Sequence, residues 1–128
     1  MSEFTIEHSR TEPIVIVTER ETYNPIEQMD LLIDAILAEV EHFDRPGYAI
    51  IVQKAKYNID EVILGAQNIR VKGEKLRTHP KYRGSLFVSP YLFNKMALDG
   101  MSSDAFGKLF YQVFDTVEEA LNFARSTL

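Results

Sequence analysis

Residues 45–52, Arg-Pro-Gly-Tyr-Ala-Ile-Ile-Val, decide the fold class of this 128-residue chain. A proline-glycine turn precedes the uninterrupted apolar run Tyr48 to Val52. A short apolar run bounded by turn residues is typical of a central strand that is buried on both faces. Such a strand needs packed structure on both sides of its sheet. We therefore expect an α/β fold in which helices cover a sheet.

Helix signals lie on both sides of this run. Before it, residues 24–27 (Asn-Pro-Ile-Glu) combine a capping residue, a proline at the first helical position and a capping-box glutamate. The apolar stripe that follows predicts a helix ending near Phe43: Ile26, Met29, Ile33, Ile36, Val40 and Phe43. After the run, residues 58–61 (Asn-Ile-Asp-Glu) repeat the capping box. They predict a second helix with apolar positions at helical spacing: Val62, Ile63, Ala66 and Ile69.

The two ends of the chain continue the alternation. Phe4 to His8 and Ile14 to Val17 are separated by a polar turn, which predicts a hairpin. Ser85 to Ser89 predicts a second buried strand, and Ser89-Pro90 a third helix that ends at Gly100. Phe110 to Phe114 predicts a last strand.

Thr116 is expected to cap a final helix whose apolar side holds Ala120, Leu121, Phe123 and Ala124. Residues 1–128 are thus predicted to form a single domain. The predicted fold is a mixed β-sheet of about five strands covered by about four helices, in the order β-β-α-β-α-β-α-β-α.

Charge is distributed unevenly behind the net value of -5. Residues 1–44 are strongly acidic, residues 45–98 are basic, and residues 99–128 are acidic again. The basic stretch between Arg70 and Arg83 could bind an anion, and Arg77, Lys81 and Arg83 are the candidate residues. The alternative is a solvent-exposed helix end and loop whose positive charges balance the negative charges of the acidic first helix of the same or a neighbouring subunit. Overall acidity and the single aromatic residue in the stretch, Tyr82, argue against nucleic acid.

The sequence lacks the residues or motifs that several kinds of site require. With no Cys, the chain can form no disulfide, Cys-ligated zinc site or cysteine nucleophile. The six glycines match neither a dinucleotide nor a phosphate-loop pattern, and no serine is flanked as in a nucleophile elbow. His8, His42 and His79 lie far apart without metal-ligand spacing. We predict no catalytic residues, no metal and no cofactor.

The element order and three local motifs resemble the STAS-like fold family. The motifs are the helix start at Asn58, the stretch Gly84 to Ser89, and the ending Phe114-Asp115-Thr116 with Glu118-Glu119-Ala120-Leu121. The family includes anti-sigma-factor antagonists, cytoplasmic domains of sulfate transporters, and a branch similar to lipid-binding Sec14-like proteins. The resemblance implies a non-catalytic module that acts at the ends of its strands.

The phosphoswitch of the antagonists would need a Ser or Thr at the start of the helix after the central strand. Here that segment is Lys54 to Asp60, and no Ser or Thr occurs from Tyr23 to Arg77. The resemblance therefore implies a member without this switch. The resemblance still implies a surface at the strand ends that binds a partner or ligand, formed by Gln53, Lys54, Tyr57, Asn58, Ser89 and Tyr91. Asn58 itself is expected mainly to cap its helix.

Large apolar residues crowd between residues 91 and 109, where they form a core, a homodimer interface or a ligand pocket: Tyr91, Leu92, Phe93, Met96, Met101, Phe106 and Leu109. Two functions follow from the residues and the resemblance. The first is a regulatory or protein-interaction module that binds a protein partner or a second copy of itself. The alternative is a binder of a small apolar, amphipathic or lipid-like ligand, and an unrecognised enzyme is the third. Without a leader, a membrane-spanning run or Cys, the chain is expected in the cytoplasm.

Overall fold

The computed structural model describes residues 3–9, 11–89, 91 and 111–128 of the chain. In this part of the chain five strands form one sheet in the order β1-β2-β3-β4-β5. The strands are β1 (Phe4–His8), β2 (Ile14–Glu19), β3 (Gly47–Val52), β4 (Tyr82–Val88) and β5 (Tyr111–Phe114). The described helices are α1 (Met29–Glu41), α2 (Ile59–Lys72), α3 (Glu74–Arg77) and α4 (Val117–Thr127). None of these helices is long and apolar enough to cross a membrane.

The sheet is mixed, as predicted. β1 and β2 pair antiparallel and form the expected hairpin, whereas β2, β3, β4 and β5 run parallel to one another. The predicted α/β class is therefore confirmed. The short helix α3 lies where the sequence predicted a basic connector. The third predicted helix falls almost entirely outside the described residues, as do residues 92–109 of the apolar segment.

Each face of the sheet is buried under helices. Alternate residues of β2 and β3 (Val15, Val17, Ala49 and Ile51) pack on the first face with the apolar side of α1. The intervening residues of β3 and β4 (Tyr48, Ile50, Leu86 and Val88) pack on the second face with Ala120 and Ala124 of α4. β3 is thus covered on both sides, as its apolar run predicted.

The start of α1 differs from the predicted capping box. The side-chain oxygen of Asn24 accepts hydrogen bonds from the backbone N–H groups of Ile26 and Glu27, at 2.8 and 3.2 Å. The Asn24 N–H donates to the side-chain oxygen of Gln28, whereas the predicted capping box requires Glu27 as the acceptor. Asn24 therefore closes a turn, and the regular helix begins only at Met29.

The predicted capping box of α2 is confirmed. The Glu61 N–H donates to the Asn58 side-chain oxygen at 2.8 Å, and the Asn58 N–H donates to the Glu61 carboxylate at 2.9 Å. Of the predicted apolar positions, Ile63 is 50% exposed, and the side chains of Val62, Ala66 and Ile69 lie outside the described part of the structure. α2 packs against the start of α1 through Gly65, which lies against Pro25, and through Asn68, which donates to the Ile26 carbonyl. A small residue and an amide permit this close approach, and among the described side chains Ile59, Ile63, Leu64 and Val71 are exposed.

Acidic and basic segments of the chain form ion pairs within one molecule. Lys72 of α2 pairs with Asp30 of α1 at 2.8 Å, and Lys75 of α3 pairs with Asp34 of α1. These side chains are exposed, and exposed pairs each contribute about 0–1 kcal/mol. Their value is in orienting α2 and α3 along the acidic helix. For these two lysines, the structure agrees with the alternative that the basic stretch is exposed to solvent and pairs with the acidic first helix.

Gly47 marks the closest approach of two backbone segments. A Cβ atom on residue 47 would lie 1.8 Å from the carbonyl oxygen of Pro13, far inside van der Waals contact. The same carbonyl accepts a hydrogen bond from the Tyr48 N–H at 3.0 Å. Glycine is therefore required where β3 begins beside the residue preceding β2.

We expect Gly47→Ala to lower the free energy of unfolding by about 3 kcal/mol, because the methyl group forces the paired strands apart. Urea denaturation checks this expectation. Gly65→Ala is the matched control: its Cβ would lie 3.3 Å from the Pro25 side chain, and alanine gains about 1 kcal/mol of helix propensity. The control should stay within about 1 kcal/mol of the wild type. Equal losses in both variants would contradict the proposed steric cause.

Candidate functional site

A row of polar side chains lies one residue beyond the last paired rung of the parallel strands. That rung consists of Thr18, Val52, Val88 and Phe114. The next residues are Glu19, Gln53, Ser89 and Asp115. The ladder continues into this row, since the Gln53 N–H donates to the Val88 carbonyl at 2.8 Å and the Ser89 N–H donates to the Phe114 carbonyl at 3.3 Å.

Three members of the row are almost fully buried, namely Glu19, Gln53 and Ser89. Side chains alternate along a strand, so these residues share the first face of the sheet with Val17, Ile51 and Phe87. Neighbouring strands lie about 4.8 Å apart, which puts the three side chains next to one another. We call Glu19, Gln53 and Ser89, together with Tyr23 and Tyr57, the carboxyl-edge cluster.

Glu19 is the centre of the carboxyl-edge cluster. The Tyr57 hydroxyl donates a short hydrogen bond to its carboxylate. Burial raises the pKa of Glu19 from 4.5 to about 8, and the Tyr57 hydrogen bond opposes that rise only in part. Burial and the charge of Glu19 also raise the pKa values of Tyr23 and Tyr57 above the ordinary tyrosine range. Both phenols are therefore hydrogen-bond donors at neutral pH.

Gln53 brings an unsatisfied acceptor to the same place. Its side chain is 4% exposed, and its carbonyl oxygen Oε1 has no hydrogen-bond partner among the described residues. A buried polar atom without a partner costs about 1–3 kcal/mol. Native proteins contain few such atoms, so this one needs an explanation.

The capping box of α2 positions Tyr57 over Glu19. Asn58 and Glu61 fix the first turn of the helix, so the residue just before the cap has a defined direction. Ala55 is buried in the first core and holds the connection between β3 and α2 against the sheet. Tyr57 packs against the same core. Local capping and core packing together bring its hydroxyl to the carboxylate.

The structure brings the predicted strand-end residues to one edge but gives them different environments. Gln53 and Ser89 are buried, Tyr57 is half-buried, and Lys54 and Asn58 are exposed. Tyr91 is half-buried, and its backbone N–H donates to the Ser89 hydroxyl oxygen at 3.3 Å. Gln53 and Ser89 are thus enclosed and do not form an open surface for a protein partner.

Glu19 and Tyr23 were not among the predicted site residues. Glu19 lies in the stretch Val17-Thr18-Glu19-Arg20-Glu21-Thr22, whose polar character is typical of a loop. The alternation of β2 extended by one step would have placed residue 19 on the buried face with Val15 and Val17. That extension was the available signal.

The predicted anion-binding residues lie away from the carboxyl-edge cluster. Arg77 ends α3, and Lys81 and Arg83 lie at the start of β4, the opposite end of the strand from Ser89. The Lys81 ammonium reaches the Glu41 carbonyl at 3.4 Å, and the Arg83 guanidinium lies 5.5 Å from the ring centre of Tyr48. Anion binding by these residues stays a prediction.

Metal-ligand clusters are absent from the described part of the chain: no group of three or more His, Asp or Glu side chains there could hold a metal ion. His8 is paired with Glu39 at 2.7 Å, and His79 accepts a hydrogen bond from the Lys81 N–H. Neither histidine lies at the carboxyl edge.

Comparison of the chain with protein-family models, with curated proteins and with solved structures found no match. The STAS-like resemblance therefore stays a prediction.

The pKa of Glu19 predicts how stability depends on pH. Below about pH 4.5 the carboxyl is protonated in the folded and unfolded states alike. Between pH 4.5 and about 8 only the folded state holds the proton, so stability falls as the pH rises. We expect Glu19→Gln to leave the free energy of unfolding nearly unchanged near the lower limit. Above the upper limit it should raise that energy, on the order of 4 kcal/mol.

Urea denaturation of both proteins across this pH range measures the difference. Glu12→Gln is the control, because the Arg125 hydrogen bond lowers the pKa of Glu12 and confines its effect to more acidic pH. A Glu19→Gln difference that does not grow between about pH 5 and about pH 9 would show that Glu19 ionises normally.

Proposed function

We propose that this protein is a non-catalytic regulatory module that binds a small amphipathic ligand at its carboxyl-edge cluster. The observation that carries the proposal is the buried Oε1 atom of Gln53, which lacks a donor among the described residues. A ligand that donates a hydrogen bond there would remove the cost of burying this oxygen. Glu19 and Ser89 offer further polar contacts beside it.

The location supports the proposal through the edge of the sheet alone. In open α/β sheets, ligands bind outside the carboxyl ends of the strands where the strand order reverses, and the order β2-β3-β4-β5 has no such reversal. The cluster lies at this edge of β2, β3 and β4. Tyr23 and Tyr57 add aromatic surface, and pockets for small ligands combine such surface with a few well-placed polar groups.

The non-catalytic part of the proposal rests on the groups in the cluster. A nucleophile needs an adjacent base that is itself oriented by a third group. Ser89 has no histidine at this edge among the described residues, and its hydroxyl oxygen accepts the Tyr91 N–H. Glu19 is held by a tyrosine whose own pKa is raised, so the pair favours retention of protons over their transfer.

The variant Gln53→Leu tests whether the Gln53 amide binds a ligand or has a structural partner. Leucine has a similar size and carries no unsatisfied oxygen, so we expect the unliganded protein to gain about 1–2 kcal/mol in free energy of unfolding. The same variant should lose any small molecule that the wild type retains in native mass spectrometry after gentle purification. A loss of stability in Gln53→Leu would contradict the proposal, because it would mean that the amide has a structural partner.

Ser85→Ala is the matched control for burial of a polar side chain. The Ser85 hydroxyl is bonded to that of Tyr82 within the first core, away from the carboxyl edge. Its removal leaves a buried phenol without a partner and should lower stability by about 1–3 kcal/mol, without changing retention of the molecule.

A second candidate function is self-association through α2. Its outward face carries Ile59, Ile63, Leu64 and Val71, each between 43% and 71% exposed. The first turn of α2 is acidic, with Asp60 and Glu61, and its last turn contains Lys72. In a two-fold dimer with antiparallel α2 helices, each acidic start would lie beside the basic end of the other helix. We propose a second copy of the chain as the partner on this face.

Ile63→Glu should keep the protein monomeric, because a charge at the centre of the apolar face opposes its burial. Size-exclusion chromatography with light scattering over a range of concentrations tests this expectation. Leu128→Glu is the control, since Leu128 is also an exposed apolar residue but follows α4 on the other face of the sheet. A wild type that stays monomeric at every concentration would remove this second candidate. The cytoplasmic location stays a prediction.

A further inference from the structure

The carboxylate of Glu19 has no cationic partner among the described residues. The ion pairs there join His8 to Glu39, Arg45 to Asp44, Lys72 to Asp30, Lys75 to Asp34 and Arg125 to Glu12. Glu19 has one identified donor, the Tyr57 hydroxyl. A carboxylate can accept about four hydrogen bonds, and buried charges are normally paired. The site therefore has unused acceptor capacity and, among the described residues, no cation that would stabilise the ionised form of Glu19.

A second acceptor lies on the neighbouring strand. Gln53 Oε1 is buried, has no partner among the described residues, and lies on the same rung and face of the sheet as Glu19. Two adjacent acceptors, one of them a carboxyl group without a counterion for its ionised form, define the complementary group: it donates at least two hydrogen bonds and carries a positive charge. An ammonium group has three N–H donors and this charge.

Other ligand classes fit less well. An anion would meet the Glu19 carboxylate, and a divalent metal would need more anionic ligands than the described residues supply. A neutral alcohol or amide satisfies the acceptors but does not stabilise the ionised form of Glu19.

We propose that the carboxyl-edge cluster binds the protonated amino group of a small organic amine, with Glu19 as its counterion and Gln53 Oε1 as a second acceptor. This assignment rests on the ligand-binding function proposed above and names its ligand class. Tyr57 acts as a positioning residue, because its hydroxyl holds the Glu19 carboxylate in place.

Proton release distinguishes an amine from a neutral ligand. The unliganded Glu19 is protonated in most molecules at about pH 7, because its pKa is about 8. An ammonium ion stabilises the ionised carboxylate, so its binding must expel that proton. A neutral donor leaves the proton where it is. The number of protons released on binding therefore identifies the charge of the ligand.

The test uses isosteric pairs, benzylamine with benzyl alcohol and n-hexylamine with n-hexanol, titrated calorimetrically into the full chain in two buffers of different ionisation enthalpy. We expect each amine to bind at least about tenfold more tightly than its alcohol. Proton release should approach one per amine bound at about pH 7. In Glu19→Gln, which keeps an acceptor for Tyr57, the preference and the proton release should both disappear.

Gln53→Leu provides a second variant with an intact carboxylate. We expect it to weaken amine binding about tenfold while proton release per bound amine persists. Equal affinities within each pair, a preference that survives Glu19→Gln, or no amine binding up to about 10 mM would overturn the amine assignment. If the alcohols bind as well as the amines, ligand binding at this site still stands. If native mass spectrometry also finds an empty protein and Gln53→Leu is destabilised, the proposed function fails as well.

Discussion

Burial of both faces of β3 is the constraint on which the rest of the structure depends. Tyr48 and Ile50 can leave water only if a helix covers the second face, and Ala49 and Ile51 only if helices cover the first. The hydrophobic effect supplies this requirement at roughly 25 cal/mol per Å² of apolar surface. Parallel neighbours on both sides of β3 then need crossover connections, which α1, α2 and α3 provide. The carboxyl edge follows from the same constraint, because parallel strands end together.

At that edge the sheet buries polar side chains, whereas its core buries apolar ones. The sheet buries apolar side chains up to the rung of Thr18, Val52 and Val88, and one residue later it buries a carboxylate, an amide and a hydroxyl. Such groups cost free energy unless they are paired. Proteins retain such costs mainly at functional sites, where stability is exchanged for binding. The cluster has this character, since one buried oxygen lacks a donor in the described part of the chain.

Local and long-range causes divide clearly along the chain. The apolar run in β3, the capping box at Asn58 and the cap at Thr116 depend on nearest neighbours, and each was predictable from a few residues. The exposure of Ile63 on α2 was not, because it depends on how closely Gly65 can approach Pro25, a residue forty positions earlier. Glu19 was missed because its polar neighbours indicate a loop; the alternation of β2 indicates its face of the sheet, but its contact with Tyr57 depends on the tertiary structure.

By itself, the sequence determined the α/β class, the hairpin, the central strand and the starts of α2 and α4, because periodicity and capping are properties of adjacent residues. It also identified Gln53, Tyr57 and Ser89 as residues at strand ends. Only the tertiary structure decided that Glu19 joins them, that Gln53 and Ser89 are enclosed, and that the Asp30 and Asp34 carboxylates pair with Lys72 and Lys75. The physical reason is that burial and charge pairing depend on distances between segments remote in the chain, which are set when the helices pack on the sheet.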